Sequence, residues 1–191
     1  HWFADRFTPD TRRMARLVKA ERLPAIWQGT EPGPVGEPPV PGDTALGPLY
    51  GATFGQLPAQ ALARLLRDSG ATRLRVTPWR LILLEGAQAV PAADFVTRAG
   101  DPLLTIDACP GAPYCPQAQA ETRDLARALA GRVRGSLHVS GCAKGCARMG
   151  PADITLVGNG GRFDLVKQGR AGDEPCQRGL TPETLKTMDL T

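Results

Sequence analysis

The sequence lacks the features of a membrane protein and of a nucleic-acid-binding protein. Its longest apolar run is Leu81–Leu84, far short of the roughly 18 apolar residues that a membrane-spanning helix needs. Aromatic residues make up only 5% of the chain, and it has no block of about five or more basic residues, which argues against binding to nucleic acid. The first residues contain neither a basic n-region nor an apolar h-region, so no signal peptide is predicted. We therefore expect a cytoplasmic protein with no membrane or nucleic-acid partner.

Lysine and histidine are scarce. Only four of the 23 basic residues are Lys, and His1 and His138 are the only histidines. The excess of Arg suits bidentate recognition of carboxylates, although a GC-rich coding sequence would produce it as well. His138 is a lone histidine in a predicted strand, so we expect a structural role for it. The chain also begins with His1 rather than Met, which suggests a piece of a longer protein.

The chain does contain enough apolar sequence for a folded core. Hydrophobic residues make up 42% and charged residues 22% of the 191 residues, as in ordinary globular proteins. We predict an α+β fold in three segments. Residues 1–44 form an N-terminal helix and a Pro/Gly-rich linker, residues 45–100 a ferredoxin-like half-module with the order β-α-β-β-α, and residues 101–191 an α/β module.

The apolar periodicity and the positions of Pro and Gly predict the individual elements. Strands are predicted at residues 49–54, 72–77, 80–85, 103–108 and 136–140, with a hairpin formed by residues 153–157 and 162–166. Helices are predicted at residues 8–22, 58–68, 91–99, 116–130 and 182–188. Thr8 is the expected N-cap of the first helix, and Gly131 the expected end of the fourth.

Four of the five cysteines form two pairs, each after a predicted strand. Cys109 and Cys115 have the spacing C-x5-C, and Cys142 and Cys146 the spacing C-x3-C. Thiols at the ends of neighbouring strands can converge on one point, and four thiolates suit an iron–sulfur cubane in which each iron needs one terminal ligand. Small residues around both pairs leave room for an inorganic cluster. Cys176 lies in a polar loop and is expected to be a spare thiol.

Three other interpretations of the cysteines remain open at this stage. Structural zinc prefers two to four residues between paired ligands, and the C-x5-C pair departs from that spacing. Disulfides require an oxidising compartment, which nothing in the sequence indicates. Unrelated buried cysteines would not be expected as two tight, glycine-flanked pairs.

The cysteine spacing, with 26 residues between the two pairs, resembles the signature of the sulfite/nitrite reductase family. The residues in and around the two cysteine pairs are more similar to those of one branch, the precorrin-3B synthases. The resemblance covers roughly residues 45–180 and lies in the segments 74–80, 108–115, 140–147 and 150–158. It implies the fold of that family, with a ferredoxin-like half-module followed by an iron–sulfur-binding α/β module.

The resemblance also implies cofactors and an activity. In this family four cysteines bind a [4Fe–4S] cluster, and the last of them bridges to sirohaem iron; the corresponding residues here are Cys109, Cys115, Cys142 and Cys146. The synthase branch implies a monooxygenase of aerobic cobalamin biosynthesis, which converts the tetrapyrrole precorrin-3A to precorrin-3B by hydroxylation and lactonisation. The reaction uses O2 and NADH-derived electrons supplied through a donor. Its oxygen-activating iron is expected to be non-haem, and we assign no ligands to it.

Two alternative functions remain open. The first is a haem-binding, sirohaem-dependent sulfite or nitrite reductase, and the second is an isolated [4Fe–4S] electron-transfer module. Family members contain two pseudo-symmetric halves, and this chain resembles only the second. A missing N-terminal half or a partner chain is therefore expected to complete the substrate pocket. The candidate residues for binding substrate carboxylates are Lys144, Arg148, Arg73, Arg75 and Arg80.

Overall fold

The computed structural model describes residues 1–29 and 36–190. The described chain divides into two compact units, residues 1–37 and residues 38–191. The predicted linker lies partly outside the described residues, since residues 30–35 are not described. In the described part of the chain, no helix is long and apolar enough to cross a membrane. The three-segment division at residues 44 and 100 stays a prediction.

The described chain contains four α-helices, with runs of two, three and four strands between them. The helices are α1 (Met14–Ala20), α2 (Ala59–Ser69), α3 (Arg123–Ala128) and α4 (Pro182–Thr187). The strands are β1 (Gly42–Thr44), β2 (Gly47–Gly51), β3 (Arg73–Val76), β4 (Leu81–Glu85), β5 (Ile106–Ala108), β6 (Leu137–Ser140), β7 (Ala152–Asn159), β8 (Arg162–Gly169) and β9 (Gln177–Leu180). This content confirms the predicted α+β class.

The first sheet has the order β1-β2-β4-β3, and all its neighbouring strands are antiparallel. Strands β2 and β3 therefore run parallel, with β4 between them and α2 in the connection. This is the split β-α-β arrangement of ferredoxin-like folds. Leu65 of α2 packs against Tyr50, Ile82 and Leu84 on one face of the sheet. Helix α2 ends at Gly70, whose φ of 65° forms the left-handed cap expected of glycine at this position.

The second sheet has the order β5-β6-β7-β8-β9. Strands β5, β6 and β7 are parallel, while β8 and β9 pair antiparallel. The predicted hairpin is confirmed, since β7 and β8 are joined by a two-residue turn, Gly160–Gly161, with positive φ at both positions. One face of this sheet packs against α3 and α4 through the largest hydrophobic core, which includes Leu125, Leu137, Leu156 and Leu185.

Three helix predictions were wrong in whole or in part. Residues 8–13 form turns rather than the start of α1, because Thr8 and Thr11 hydrogen-bond to each other. Residues 91–99 form no helix, because Val96 exchanges two backbone hydrogen bonds with Gly51 and the Tyr50 hydroxyl bonds to the backbone of Val90.

The third of these predictions is the helix at residues 116–130, which corresponds to α3 and is shorter than predicted. It begins at Arg123 instead of residue 116. The backbone of the preceding segment pairs elsewhere: Gln119 donates to the carbonyl of Gly141 at 2.7 Å and accepts from the amide of Gly161 at 2.7 Å. A helix over residues 116–122 would break both bonds.

Candidate functional site

The two cysteine pairs follow adjacent parallel strands. Cys109 comes directly after β5, and its amide extends the ladder by donating to the carbonyl of Val139 at 3.0 Å. Cys142 follows β6 after one residue, Gly141. Parallel neighbours end at the same edge of a sheet, so both cysteine loops begin at the carboxyl edge of β5 and β6. This edge is where open α/β sheets usually bind ligands.

The loop that carries Cys109 and Cys115 closes on itself. The Thr122 hydroxyl donates to the carbonyl of Cys109 at 2.6 Å, and the amide of Ala112 donates to the carbonyl of Ala120 at 3.0 Å. Gly111 has a φ of 70°, and a Cβ there would lie 2.5 Å from the Thr122 hydroxyl oxygen. Only glycine permits this close approach, so the loop conformation depends on it.

The second cysteine loop, residues 141–148, folds back across the face of the second sheet that does not carry α3. Parallel register places Asp107, His138 and Thr155 side by side on this face, and Cys109 follows two residues after Asp107. A Cβ on Gly145 would lie 2.9 Å from the Ala171 Cβ and 3.5 Å from the His138 Cε1. The loop therefore lies directly over the His138 ring.

An ion pair fixes the far end of this loop. Arg148 binds Asp107 with an Nη1–Oδ2 distance of 2.9 Å, and its Nε donates to the carbonyl of Pro151 at 2.8 Å. Arg80 binds the other oxygen of Asp107 at 3.3 Å. Both arginine side chains are 30% exposed and the Asp107 side chain is 20% exposed, so these pairs are partly shielded from water. Asp107 thus ties the second cysteine loop to the strand that leads into Cys109.

The Cys109 thiol lies where the two loops meet. Burial disfavours its ionised form, but contacts with the His138 ring, the Ser140 hydroxyl and the amides of Ala147 and Gly141 outweigh burial and lower the pKa of Cys109 to about 6. The His138 Nε2 lies 3.8 Å from the Cys109 Sγ. A thiol with this pKa is mostly thiolate at neutral pH, which is the form that binds metal.

The four paired cysteines differ in exposure. Cys109 is buried, Cys115 and Cys142 are half-buried, and Cys146 is exposed. Among the described residues, no three His, Cys, Asp or Glu side chains lie close enough to hold a single metal ion. The four thiols, with the small residues around them, suit a [4Fe–4S] cluster in which each iron takes one thiolate.

Cys176 is in neither cysteine loop along the chain. It is exposed, and its amide bonds to the carbonyl of Leu165 at the start of the β8–β9 pairing. Its expected role as a spare thiol stays a prediction.

The candidate substrate residues do not form one group. Arg80 and Arg148 both bind Asp107, and Arg75 pairs with Glu85. Lys144 and Arg73 are exposed. Lys144 lies between two of the proposed ligands, whereas Arg73 lies on the edge strand of the first sheet. Their roles toward a substrate stay predictions, and Lys144 is the one that lies between two proposed ligands along the chain.

Two residues at this site were not singled out from the sequence. Asp107 binds Arg80 and Arg148, and the Ser140 hydroxyl donates to the carbonyl of Cys142 at 2.7 Å. Asp107 is a charged residue in a short, otherwise apolar strand that ends at a cysteine, and that pattern was the available signal. For Ser140 the sequence offered none beyond its place next to Gly141.

Comparison with known proteins agrees with the sequence resemblance. No family model matches the chain. A precorrin-3B synthase from Sinorhizobium sp is 36% identical over 151 residues, which cover 70% of this chain and 32% of that protein. The chain is related to precorrin-3B synthase. The expected family resemblance is thereby confirmed.

A solved structure confirms the type of fold. The Mycobacterium tuberculosis NirA protein superposes with a TM-score of 0.50 at 22% identity, covering 83% of this chain and 37% of that one. The likeness shows that this precorrin-3B synthase relative has a fold of the sulfite/nitrite reductase type. The chain spans about a third of the length of each of these two proteins. Its correspondence to a second half stays a prediction.

Proposed function

We propose that this chain is the cluster-binding part of a precorrin-3B synthase, an oxidoreductase of cobalamin biosynthesis. Cys109, Cys115, Cys142 and Cys146 would hold a [4Fe–4S] cluster. The observation that carries the proposal is the meeting of the two cysteine loops at the Cys109 thiol, whose pKa the backbone amides of Ala147 and Gly141 help to lower. The relationship to a precorrin-3B synthase supports the choice of pathway.

The proposed reaction is O2-dependent. One oxygen atom would enter precorrin-3A as a hydroxyl group, and a ring acetate of the substrate would close to the lactone. The other oxygen atom would leave as water after uptake of two protons and of two electrons derived from NADH. When bound, the cluster would supply single electrons to that reaction. Lys144, between Cys142 and Cys146, would provide positive charge toward a substrate carboxylate.

The protein environment of the cysteines favours ligation by thiolate. Backbone amides directed at Cys109 stabilise its negative charge without a counter-ion, and the half-buried positions of Cys115 and Cys142 limit access of water. The exposed Cys146 leaves one side of the proposed cluster open. The remaining two thirds of a synthase of the Sinorhizobium type would have to complete the substrate pocket on such an open side.

Cluster binding is tested by anaerobic reconstitution of the purified chain with iron and sulfide. We expect about four iron and four acid-labile sulfide per chain with the broad visible absorption of a cubane. Serine replacement of any of the four proposed ligands should abolish stable assembly. The matched control is Cys176→Ser, which should leave the iron content unchanged. Zinc bound in place of iron, or loss of iron in the Cys176 variant, would contradict the ligand assignment.

The activity is tested on the cluster-loaded chain with precorrin-3A, O2 and a reducing system. Because the chain spans about a third of its synthase relative, the assay is run with and without the remainder of such a synthase supplied in trans. Formation of precorrin-3B in either case supports the proposal. Strong sirohaem bands with sulfite or nitrite reduction would favour a reductase, and electron transfer without turnover in both assays would favour an isolated electron-transfer module.

A further inference from the structure

His138 is a buried polar side chain without an obvious structural purpose. It lies in β6 and is fully buried, under the loop that carries Cys142 and Cys146. The loop packs against the edge of the His138 ring, since a Cβ on Gly145 would lie 3.5 Å from Cε1, an ordinary contact distance. The fold therefore accommodates an imidazole at a position where an apolar residue would be expected in a buried strand.

The two ring nitrogens of His138 have different surroundings. Nε2 lies 3.8 Å from the Cys109 Sγ, a hydrogen-bonding distance to sulfur. Nδ1 is buried and has no hydrogen-bond partner within the part of the chain that the structure describes. If Nδ1 carried the hydrogen, it would be an unsatisfied buried donor. Nε2 would then carry no hydrogen, and its lone pair would face the Cys109 thiolate. The tautomer with its hydrogen on Nε2 avoids both penalties.

Among the residues that the structure describes, no other side chain is free to donate to this sulfur. The Ser140 Oγ lies 3.5 Å from the Cys109 Sγ, but its single hydrogen serves the shorter 2.7 Å bond to the carbonyl of Cys142. The other donors to Cys109 are the backbone amides of Ala147 and Gly141. His138 is thus the one side-chain donor that these contacts leave available to Cys109.

We propose that His138 is a positioning residue that donates a hydrogen bond from Nε2 to the Cys109 thiolate and so raises the reduction potential of the bound cluster. This inference rests on the cluster site proposed above. Reduction adds negative charge to the cluster and its sulfur ligands, and a hydrogen bond to a ligand sulfur stabilises that charge. The bond lies in a buried site, where water cannot replace it once it is removed.

The test compares three variants in the cluster-loaded chain. His138→Leu removes the donor, and His138→Gln can place an amide N–H near the position of Nε2. Thr155→Val is the matched control, because Thr155 is fully buried beside His138 in the β6–β7 register and its hydroxyl bonds to Gly169 rather than to a cysteine. The readouts are iron content, the midpoint potential from an EPR-monitored redox titration, and the iron–thiolate Raman stretches in H2O and D2O.

We expect all forms to bind the wild-type amount of iron. The midpoint potential should fall in His138→Leu, return toward the wild-type value in His138→Gln and stay unchanged in Thr155→Val. The deuterium shift of one iron–thiolate stretch should become smaller only in His138→Leu, because the backbone amide donors to Cys109 remain in every variant. An unchanged potential in His138→Leu, or an equal fall in the Leu and Gln variants, would overturn the donor role while leaving the cluster proposal intact.

Two further outcomes are also decisive. If His138→Leu fails to bind iron, His138→Asn replaces it in the comparison, because an Asn amide reaches only the position of Nδ1. A midpoint potential of His138→Asn below that of His138→Gln supports the inference. Equal midpoint potentials in these two variants overturn it. If the wild-type chain itself binds no cluster, the proposed function fails, and the inference that rests on it fails as well.

Discussion

The Cys109 thiol is the residue on which both cysteine loops converge, and its ionisation has a consequence for the protein without a cluster. Its pKa is about 6 in the folded chain against 9.0 for an ordinary thiol. Between these values the unfolded chain holds a proton that the folded chain has lost, so folding stability rises with pH. The gain is complete above pH 9 and is lost as the pH falls through 6.

We therefore predict that the cluster-free protein becomes more stable from pH 6 to pH 9, by at most about 4 kcal/mol for this group. Urea denaturation measured across that range is the test. Cys109→Ser should flatten the rise, because a serine hydroxyl does not ionise there. Cys176→Ser provides the control and should keep the wild-type slope; equal slopes in wild type and Cys109→Ser would contradict the pKa shift.

Gly145 permits a second test at the residue scale. Gly145 and Gly160 have similar positive φ values, 62° and 56°, so alanine is strained at either position. They differ in their surroundings: a Cβ on Gly145 would lie 2.9 Å from the Ala171 Cβ, and a Cβ on Gly160 would meet nothing within 4 Å. Strain alone costs about 1–2 kcal/mol.

Gly160→Ala should accordingly lower the free energy of unfolding by about 1–2 kcal/mol and leave iron binding unchanged. Gly145→Ala should cost more and should also reduce the iron content, because the cysteine loop must move away from Ala171, in the segment after β8, to make room. Urea denaturation and iron analysis of both variants measure the two effects separately. Equal losses of stability with normal iron content in both would show that the loop does not depend on its close approach to Ala171.

The sequence predicted the cysteine residues of this site but not the partners that surround them. Ligand spacing is local along the chain, so the two cysteine pairs could be identified without a structure. The ion pairs of Asp107 with Arg80 and Arg148 join residues 27 and 41 positions apart, and no periodicity reports such a contact. Arg80 and Arg148 were therefore assigned to a substrate when the fold already gives them an internal partner.

At the scale of elements, the ion pair between Asp107 and Arg148 anchors the second cysteine loop to β5. We predict that Arg148→Ala lowers the free energy of unfolding by about 1.5–3 kcal/mol, because it removes charge-assisted hydrogen bonds from a partly buried acid. The exposed pair between Arg64 and Asp94, with side chains more than half exposed, is the matched control. Arg64→Ala should cost no more than about 1 kcal/mol.

The same variant separates the two roles considered for Arg148. If its main contact is Asp107, stability and iron retention should fall together in Arg148→Ala. If it serves only a substrate, both should stay at the wild-type level while turnover falls. Lys at this position restores the charge but not the geometry, in which Nε bonds to Pro151 and Nη1 to Asp107, so recovery in Arg148→Lys should be incomplete.

Elements with local determinants were predicted well, and elements with distant partners were not. Helix α2 has its apolar stripe and its Gly70 cap within one segment, and the β7–β8 hairpin has its glycine turn between its own strands. The expected helix at residues 91–99 fails because Tyr50 and Gly51, some forty residues earlier, bind its backbone. Residues 116–122 pair with Gly141 and Gly161 in the same way.

For the whole unit formed by residues 38–191, the important contacts are those that cross the expected boundary at residue 100. The Arg80 guanidinium donates to the carbonyls of Ile106 and Leu104 at 2.7 and 2.9 Å. Ile106 belongs to β5, the edge strand of the second sheet, so Arg80 covers backbone groups that the edge would otherwise expose. Phe54, which also precedes that boundary, packs against the core of the second sheet.

These contacts predict that the two sheets unfold together. Residues 38–191 should show one cooperative transition in calorimetry and in urea, with the same midpoint by fluorescence and by circular dichroism. Arg80→Ala should lower that stability by about 1–3 kcal/mol, because it leaves two partly buried carbonyls and Asp107 short of a donor. Arg73→Ala, at an exposed position on the edge strand of the first sheet, is the control and should change it by no more than about 0.5 kcal/mol.

A separate fragment of residues 101–191 decides between one cooperative unit and two modules. If the predicted boundary at residue 100 separates independent modules, the fragment should match the longer chain in stability and should bind the same amount of iron. If the contacts of Arg80 and Phe54 join the sheets into one unit, the fragment should be less stable and should lose its cluster more readily. We expect the second result, since β5 leads directly into Cys109 and the fragment would leave that strand without the arginine that covers its edge.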